Sequence, residues 1–314
     1  MNPFDHILLV GFGGPTRPEE VLPFLQNVSK GRNIPQERLR EVGRHYERIG
    51  GRSPYQEQTF GLRDRLQAHW KRAGIPLEVF VGMRNWHPFL KETLTEIKKR
   101  GCRRGIGMVL APHRSEASFE RYLANVEEAK RSAGASEMAY EYLKPWYDHP
   151  LFIQAQVEEV RRIYDGLSSS EIGETHLIFT AHSIPLKMAG PCRYAEEIET
   201  TASLVARELG HREWSVAYQS RSGDPKDPWL APDINALMGE LPSRGQTVAL
   251  LIPIGFLCDN AEILYDLDVE ARQVAEQRGV RYLRASTVIR HPYFLDLVTE
   301  LVEEQISLNA SRRT

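Results

Sequence analysis

The chain has 314 residues, 41% of them hydrophobic, with 40 basic against 42 acidic side chains. That length can bury a large core as one big domain or two similar halves, and the balanced charge argues against a nucleic-acid partner. Three scattered cysteines, Cys102, Cys192 and Cys258, and the lack of any CxxC pair argue against a disulfide framework, a structural zinc site or a cysteine-held cluster.

No basic segment followed by a long apolar run opens the sequence, and no run of about 18 apolar residues occurs anywhere. A soluble, cytoplasmic protein without a spanning helix is expected. Strand candidates alternate with amphipathic segments, the pattern of parallel sheets covered on both faces. Residues 6–10, 78–81, 106–110 and 138–142 read as strands in the first half, and 176–180, 214–218, 247–252 and 281–283 in the second. Helical patterns cover 37–46, 59–73, 91–99, 118–133, 152–164 and 195–209, and a last one covers 292–310. The expected fold class is α/β: two similar Rossmann-like lobes, each a four-stranded parallel sheet flanked by helices, with a cleft between them. The lobes are placed at 1–148 and 149–288, with 289–314 a C-terminal helix returning to the first.

Polar residues recur where strands end, which is where ligands bind in open α/β sheets. Gly11-Phe12-Gly13-Gly14-Pro15 follows the first strand and meets neither GxGxxG nor GxxxxGK[ST], so a nucleotide site is not expected. Close backbone approach to a ligand and a plain tight turn both remain open there. Lys30 and Arg32 flank Gly31, and Arg48 and Arg52 flank a second glycine turn. Guanidinium groups beside flexible glycine suit carboxylate recognition, although for this stretch alone a solvated basic loop is the favoured reading. Arg84, Trp86 and His87 follow the second strand, either lining a cleft or capping a helix. His113 leaves the third strand, with Tyr122 on the next helix, a position more often core than binding.

The stretch Leu177-Ile178-Phe179-Thr180-Ala181-His182-Ser183-Ile184-Pro185 is a buried strand that ends by presenting an imidazole and a hydroxyl. Residues 186–193, with Gly190, Pro191 and Cys192, read as a loop. Residues 218–225 and then Trp229 leave the sixth strand as ordered binding loops. The seventh strand runs into Pro253-Ile254-Gly255-Phe256 and then Glu262, Asp266 and Glu270, spaced four apart. On a helix those carboxylates share a face, at a cost of a few tenths of a kcal/mol per pair. A solvated acidic face explains them; so does a lane along which a divalent cation moves toward His182. One imidazole suits Fe, Zn, Ni or Co, and fewer than three fixed ligands suits transit rather than storage.

In this order the landmarks resemble the ferrochelatases, which insert Fe²⁺ into a porphyrin at the end of haem synthesis. The resemblance runs over about residues 7–292. Its specific pieces are Tyr46-Glu47-Arg48-Ile49-Gly50-Gly51-Arg52-Ser53-Pro54, His182-Ser183-Ile184-Pro185, Gln219-Ser220 with Pro228-Trp229-Leu230, and Pro253-Ile254-Gly255-Phe256 leading to Glu262 and Asp266. It implies a chelatase-like fold, His182 and Glu262 as the catalytic pair, and Asp266 and Glu270 as an outer metal lane. It also implies a porphyrin site lined by Phe12, Lys30, Arg48, Ser53, Tyr122 and Trp229. Fe²⁺ is then a substrate; no resident cofactor and no iron–sulfur cluster are expected. The expected partners are the porphyrin and Fe²⁺, with transient contact to a membrane or to haem-pathway enzymes, and the expected state is a monomer.

Three departures from the family pattern stand out. Asn260 replaces a histidine usual before the glutamate, removing one proton relay or ligand. Phe12 replaces the tyrosine common in coproporphyrin-using relatives. Gly190-Pro191-Cys192-Arg193-Tyr194 replaces a Gly-Asp-Pro-Tyr-Pro run, and Cys192 is read as inert. Ala111-Pro112-His113 resembles the coproporphyrin branch, whereas Phe12 and Gly13-Gly14-Pro15 resemble the protoporphyrin branch. The basic residues tip the reading slightly to coproporphyrin III. A chelatase for another ion such as cobalt, and a porphyrin-binding protein without catalysis, are the alternatives.

Overall fold

A computed structural model describes residues 3–31, 34–222 and 227–311. Within them the chain forms two compact units. One holds the residues up to Ala111, Ala117–Pro145 and those from Ile289 onward; the other holds Pro112–Glu116 and Trp146–Val288.

All eight predicted strands are present. The first unit contains β1 (His6–Gly11), β2 (Glu78–Met83), β3 (Arg104–Val109) and β4 (Ala139–Tyr142). The second contains β5 (Thr175–His182), β6 (Trp214–Gln219), β7 (Val248–Ile252) and β8 (Arg281–Arg284). Both sheets are fully parallel and repeat one order: β2-β1-β3-β4 and β6-β5-β7-β8. Each unit's first strand therefore lies inside its sheet, with its second strand on one side and its third on the other. That reversal opens a crevice at the carboxyl ends of β1 and β3, and again at those of β5 and β7. The inner strands are buried almost throughout, which is why they read as continuous apolar runs.

In the first unit, helix Tyr55–Ala73 and the terminal helix Pro292–Ser311 meet through Trp70, whose indole N–H donates to Thr299 Oγ1 at 2.9 Å. Gln67 of the same helix turns its amide to edge strand β2. Its Nε2 donates to the Leu77 carbonyl at 3.2 Å, and its Oε1 accepts from Val79 N–H at 2.9 Å. On β3, Gly105 makes room for a buried pair, His6 and Tyr140. A Cβ at 105 would stand 2.4 Å from His6 Nε2 and 2.6 Å from Tyr140 Cε1.

Two expectations are corrected. Residues 186–193 are not a loop: Leu186–Cys192 is a short helix with Pro191 inside it. Proline's ring clashes with the Cβ of the residue before it in helical geometry, and Gly190 has none. Short helices at Val21–Ser29, Ser169–Glu174 and Ile234–Glu240 escaped the periodicity reading. Ser168 and Glu171 form a capping box on the second of these, a signal present in the sequence.

Gly105→Ala is expected to lower the urea unfolding midpoint, by about 1–3 kcal/mol of stability, as overpacking of a filled site does. An unchanged midpoint would mean that His6 and Tyr140 move aside at little cost.

Candidate functional site

His182 is the last residue of β5, and its Nδ1–H donates to the Ser183 carbonyl. That bond fixes which nitrogen carries the proton and leaves Nε2 facing outward. The neighbouring strand β7 ends at Ile252, and its exit folds back over β5. Gly255 N–H donates to the Thr180 carbonyl at 3.1 Å, and a Cβ at 255 would stand 2.7 Å from Ala181 Cβ. Only glycine lets this backbone lie so close, one residue short of His182. The exit then delivers Glu262, whose Oε1 stands 3.5 Å from His182 Nε2.

The acid row sits on a π-helix, Glu262–Ala271, continued by the α-helix Arg272–Gln277. Ile263, Leu267, Ala271 and Ala275 form a fully buried row at spacing four, one residue behind Glu262, Asp266 and Glu270. In a 3.6-residue helix such a row drifts about 40° per step. Winding by i→i+5 bonds has more than four residues per turn and counters the drift, and π segments recur at functional sites. The acid row therefore lies on a wider winding than an α-helical reading assigns.

Residues at the ends of β6 and β8 hold this element. From β6, Gln219 Nε2 donates to the Glu262 carbonyl at 2.8 Å, and Ser220 donates its hydroxyl to Asp266. Ser220 does so from a left-handed backbone, φ 62°, rare for a side chain of its kind. From β8, Arg284 forks onto Asp268 at 2.7 and 2.8 Å and reaches Asp259 at 3.2 Å. Asn260 Oδ1 accepts from Ile263 N–H at 2.9 Å, and the Asn260 side chain also hydrogen-bonds Glu262. Here the residue that departs from the family pattern caps the helix and steadies the carboxylate. Tyr194 donates its hydroxyl to the His182 carbonyl at 3.2 Å.

Burial alone would strip His182 of its proton, but the Glu262 carboxylate and the Ser183 carbonyl overcome it and raise the imidazole to about 9. Burial pushes Glu262 up, and His182 and Asn260 bring it below its ordinary value. The side chains keep 35% and 38% exposure, so water screens the pair and poises its proton more than it stabilises the fold. Burial pushes Asp266 up, against the Ser220 hydrogen bond; with the charges of Glu262 and Glu270 it reaches about 7. At neutral pH the row therefore holds exchangeable protons at His182 and Asp266.

His182 and Glu262 are brought together, Asp266 interacts with both, and Glu270 acts on Asp266 from farther along the row. Among the described residues, no three of these four present ligand atoms within 4.8 Å of one another. Trp229 lies beside the His182 exit. It bridges Pro185, Leu230 N–H donates to the Ile184 carbonyl at 3.0 Å, and Ser183 donates to the Leu230 carbonyl at 2.9 Å. Cys192 gives its thiol to the Met188 carbonyl of its own helix at 3.1 Å.

The other candidates stand in the first unit. Phe12 follows β1; its N–H donates to the Tyr55 hydroxyl at 2.9 Å, and its ring meets Phe24 edge-on at 6.2 Å. Ser53 is buried and accepts from Tyr55 N–H at 3.3 Å. Tyr122 is a core residue in the cluster against which Phe12 packs, with the Arg84 guanidinium 5.7 Å from its ring. Trp86 donates to Glu20 at 3.0 Å, and exposed His87 pairs with Glu92 at the start of helix Leu90–Lys99, a capping arrangement. Lys30, Arg48 and Arg52 are exposed; Arg32, like residues 223–225, lies outside the described residues. Sequence reasoning gave Gln219 and Ser220 no role and missed Arg284 and Tyr194. Asn260, three residues before Ile263, carried a readable capping signal.

An ion bound through His182 Nε2 would compete with a proton held up to about pH 9, so with His182 as a ligand the apparent affinity for a divalent ion should rise with pH from about 6 to about 9 while protons are released. Calorimetry in buffers of different ionisation enthalpy, comparing the chain with His182→Gln, checks this. A pH-independent difference would remove His182 from the ligands.

The ferrochelatase family profile matches residues 5–306. A ferrochelatase of Rhodopirellula baltica is 37% identical over 98% of the chain and 87% of its own length. A coproporphyrin III ferrochelatase of Mycobacteroides abscessus is 39% identical over 98% of the chain and 92% of its own length. Among solved structures, the sirohydrochlorin chelatase SirB of Bacillus subtilis subspecies spizizenii, in complex with cobalt, shares the fold. Its TM-score is 0.60 at 11% identity, over 97% of this chain and 96% of that one. With a profile spanning nearly all its residues and relatives alike over almost their full lengths, this chain belongs to the ferrochelatase family of metal chelatase enzymes.

Proposed function

We propose that the chain inserts Fe²⁺ into a porphyrin, with coproporphyrin III favoured over protoporphyrin IX, and that His182 and Glu262 are the catalytic pair. The observation that carries this reading is the 3.5 Å approach of His182 Nε2 to Glu262 beyond the ends of adjacent strands. Metallation releases two pyrrole protons as one divalent ion enters, so the site must take up protons where it gives up the metal. An imidazole in contact with a carboxylate does both, once its own proton has left. Asp266, poised near neutrality, is the next acceptor and passes protons outward toward Glu270. The same carboxylates hold the incoming ion loosely, since oxygen ligands short of a full set favour passage. In this reading Trp229, Phe12 and Tyr122 supply porphyrin-binding surface, and Lys30, Arg48 and Ser53 its propionate contacts.

The porphyrin preference rests on two supports. Coproporphyrin carries more propionate carboxylates than protoporphyrin, and Lys30, Arg48 and Arg52 stand exposed. Several of the similar proteins, from Mycobacteroides abscessus, Mycolicibacterium smegmatis and Nocardia farcinica, are named coproporphyrin III ferrochelatases.

Anaerobic Fe²⁺ insertion followed by absorbance, with both porphyrins side by side, tests the assignment. Turnover with the larger kcat/KM for coproporphyrin III is expected. Turnover with protoporphyrin IX alone would overturn the preference, and porphyrin binding without turnover would make the chain a carrier. His182→Ala should lower kcat by at least about 100-fold, the scale of a lost general base, while porphyrin affinity stays within about twofold. Loss of both together would assign His182 to packing instead.

A further inference from the structure

The opposite end of the first sheet carries a cluster that this chemistry does not use. Asp5, His6 and Cys102 each present one ligand atom, and the three atoms lie within 4.8 Å of one another. They sit where β1 and β3 begin, whereas Phe12 leaves β1 at its other end.

Asp5 and His6 are held so that one ligand atom of each turns to the cluster. Asp5 Oδ2 accepts from the N–H groups of Arg103 at 2.7 Å and Arg104 at 3.1 Å, which turns Oδ1 to His6 Nδ1. His6 is fully buried, with its ring edge-on to Phe80 at 5.7 Å and Tyr140 at 5.3 Å. Its Nε2 pairs with the Tyr140 hydroxyl at 2.8 Å, in the space that Gly105 leaves open. A partner on the far nitrogen is the arrangement that orients metal-binding histidines. Cys102 is half-buried and the Asp5 side chain 40% exposed, so the cluster has a buried floor and a side open to solvent.

We propose that Asp5 Oδ1, His6 Nδ1 and the Cys102 thiolate bind one borderline divalent cation of the Zn²⁺ class. Nitrogen, sulfur and carboxylate together suit zinc-like ions, with water in the fourth position. Bonds of about 2.0–2.3 Å in a tetrahedron put ligand atoms about 3.3–3.6 Å apart, so the His6–Asp5 contact opens by about 1 Å to admit the ion, while Cys102 Sγ lies within 4.8 Å of both partners. On binding, the thiol proton leaves to solvent, the ring proton of His6 passes from Nδ1 to Nε2, the ion takes its place between His6 and Asp5, and nothing is oxidised. Tyr140 then accepts from Nε2–H. No paired-cysteine spacing announces the site; parallel pairing of β1 with β3 assembles it. The ordinary account is a self-sufficient Asp5–His6–Tyr140 hydrogen-bond chain beside a bystander thiol.

Co²⁺ titration of the full chain under reducing, anaerobic conditions separates the two, because only a thiolate ligand gives a near-ultraviolet charge-transfer band with Co²⁺. One equivalent should saturate that band. It should vanish in Cys102→Ser and persist in Cys192→Ser and in His182→Gln. Zn²⁺ should raise the Tm of the unaltered chain more than that of Cys102→Ser, since only a site present in the folded state stabilises it. No band with Co²⁺ in excess, a band that survives Cys102→Ser, or one that follows Cys192 would overturn the proposal. The Cys192 outcome alone would move the thiolate to the His182 side without touching the proposed function.

Discussion

The register between β5 and β7 governs the second unit. Parallel pairing sets Phe179 against Ile252, so β5 runs three residues beyond the end of its neighbour and finishes at His182. The β7 exit must then turn back across those three residues, and it can do so only where its backbone lacks a side chain, at Gly255. The meeting of imidazole and carboxylate is therefore a product of strand lengths and one missing Cβ. A one-residue slip in the pairing would carry His182 to the other face of the sheet and leave Glu262 with no base to face.

The row beyond that pair shows how a cost is kept small. Three carboxylates in line repel, and repulsion is worst where water is thin. The chain answers with a hydroxyl on Asp266 and an amide on Glu262, and with Arg284 drawing Asp268 and Asp259 away behind the row. Burial first, and then what repulsion remains, raises the proton affinity of Asp266. Local electrostatic tension becomes a site that trades protons near neutral pH, the property a metal-for-proton exchange needs.

Much of the fold was legible because the signals were strong and local. Eight buried strands alternating with amphipathic helices leave few architectures, and the four-strand count in each half fits the repeated 2-1-3-4 order. His182 and Glu262 could be named because each lies just past an apolar run. The π winding was hidden by assuming a 3.6-residue period, although Ile263, Leu267, Ala271 and Ala275 mark spacing four. Gln219, Arg284 and Tyr194 were illegible for a different reason: each acts on residues 12 to 43 positions away, and such partners come only from tertiary pairing. The short helix at Leu186–Cys192 was lost to a rule about proline that Gly190 suspends.

The amide of Gln67 has a consequence for the molecule's dealings with other chains. In a parallel ladder, one residue gives its N–H to a carbonyl and takes an N–H from two residues further along the facing strand. Gln67 does the same with the Leu77 carbonyl and Val79 N–H. A single side chain thus imitates one residue of a missing fifth strand on the outer border of β2. An intruding strand finds the first rung of this border already taken, so pairing cannot start at the head of β2.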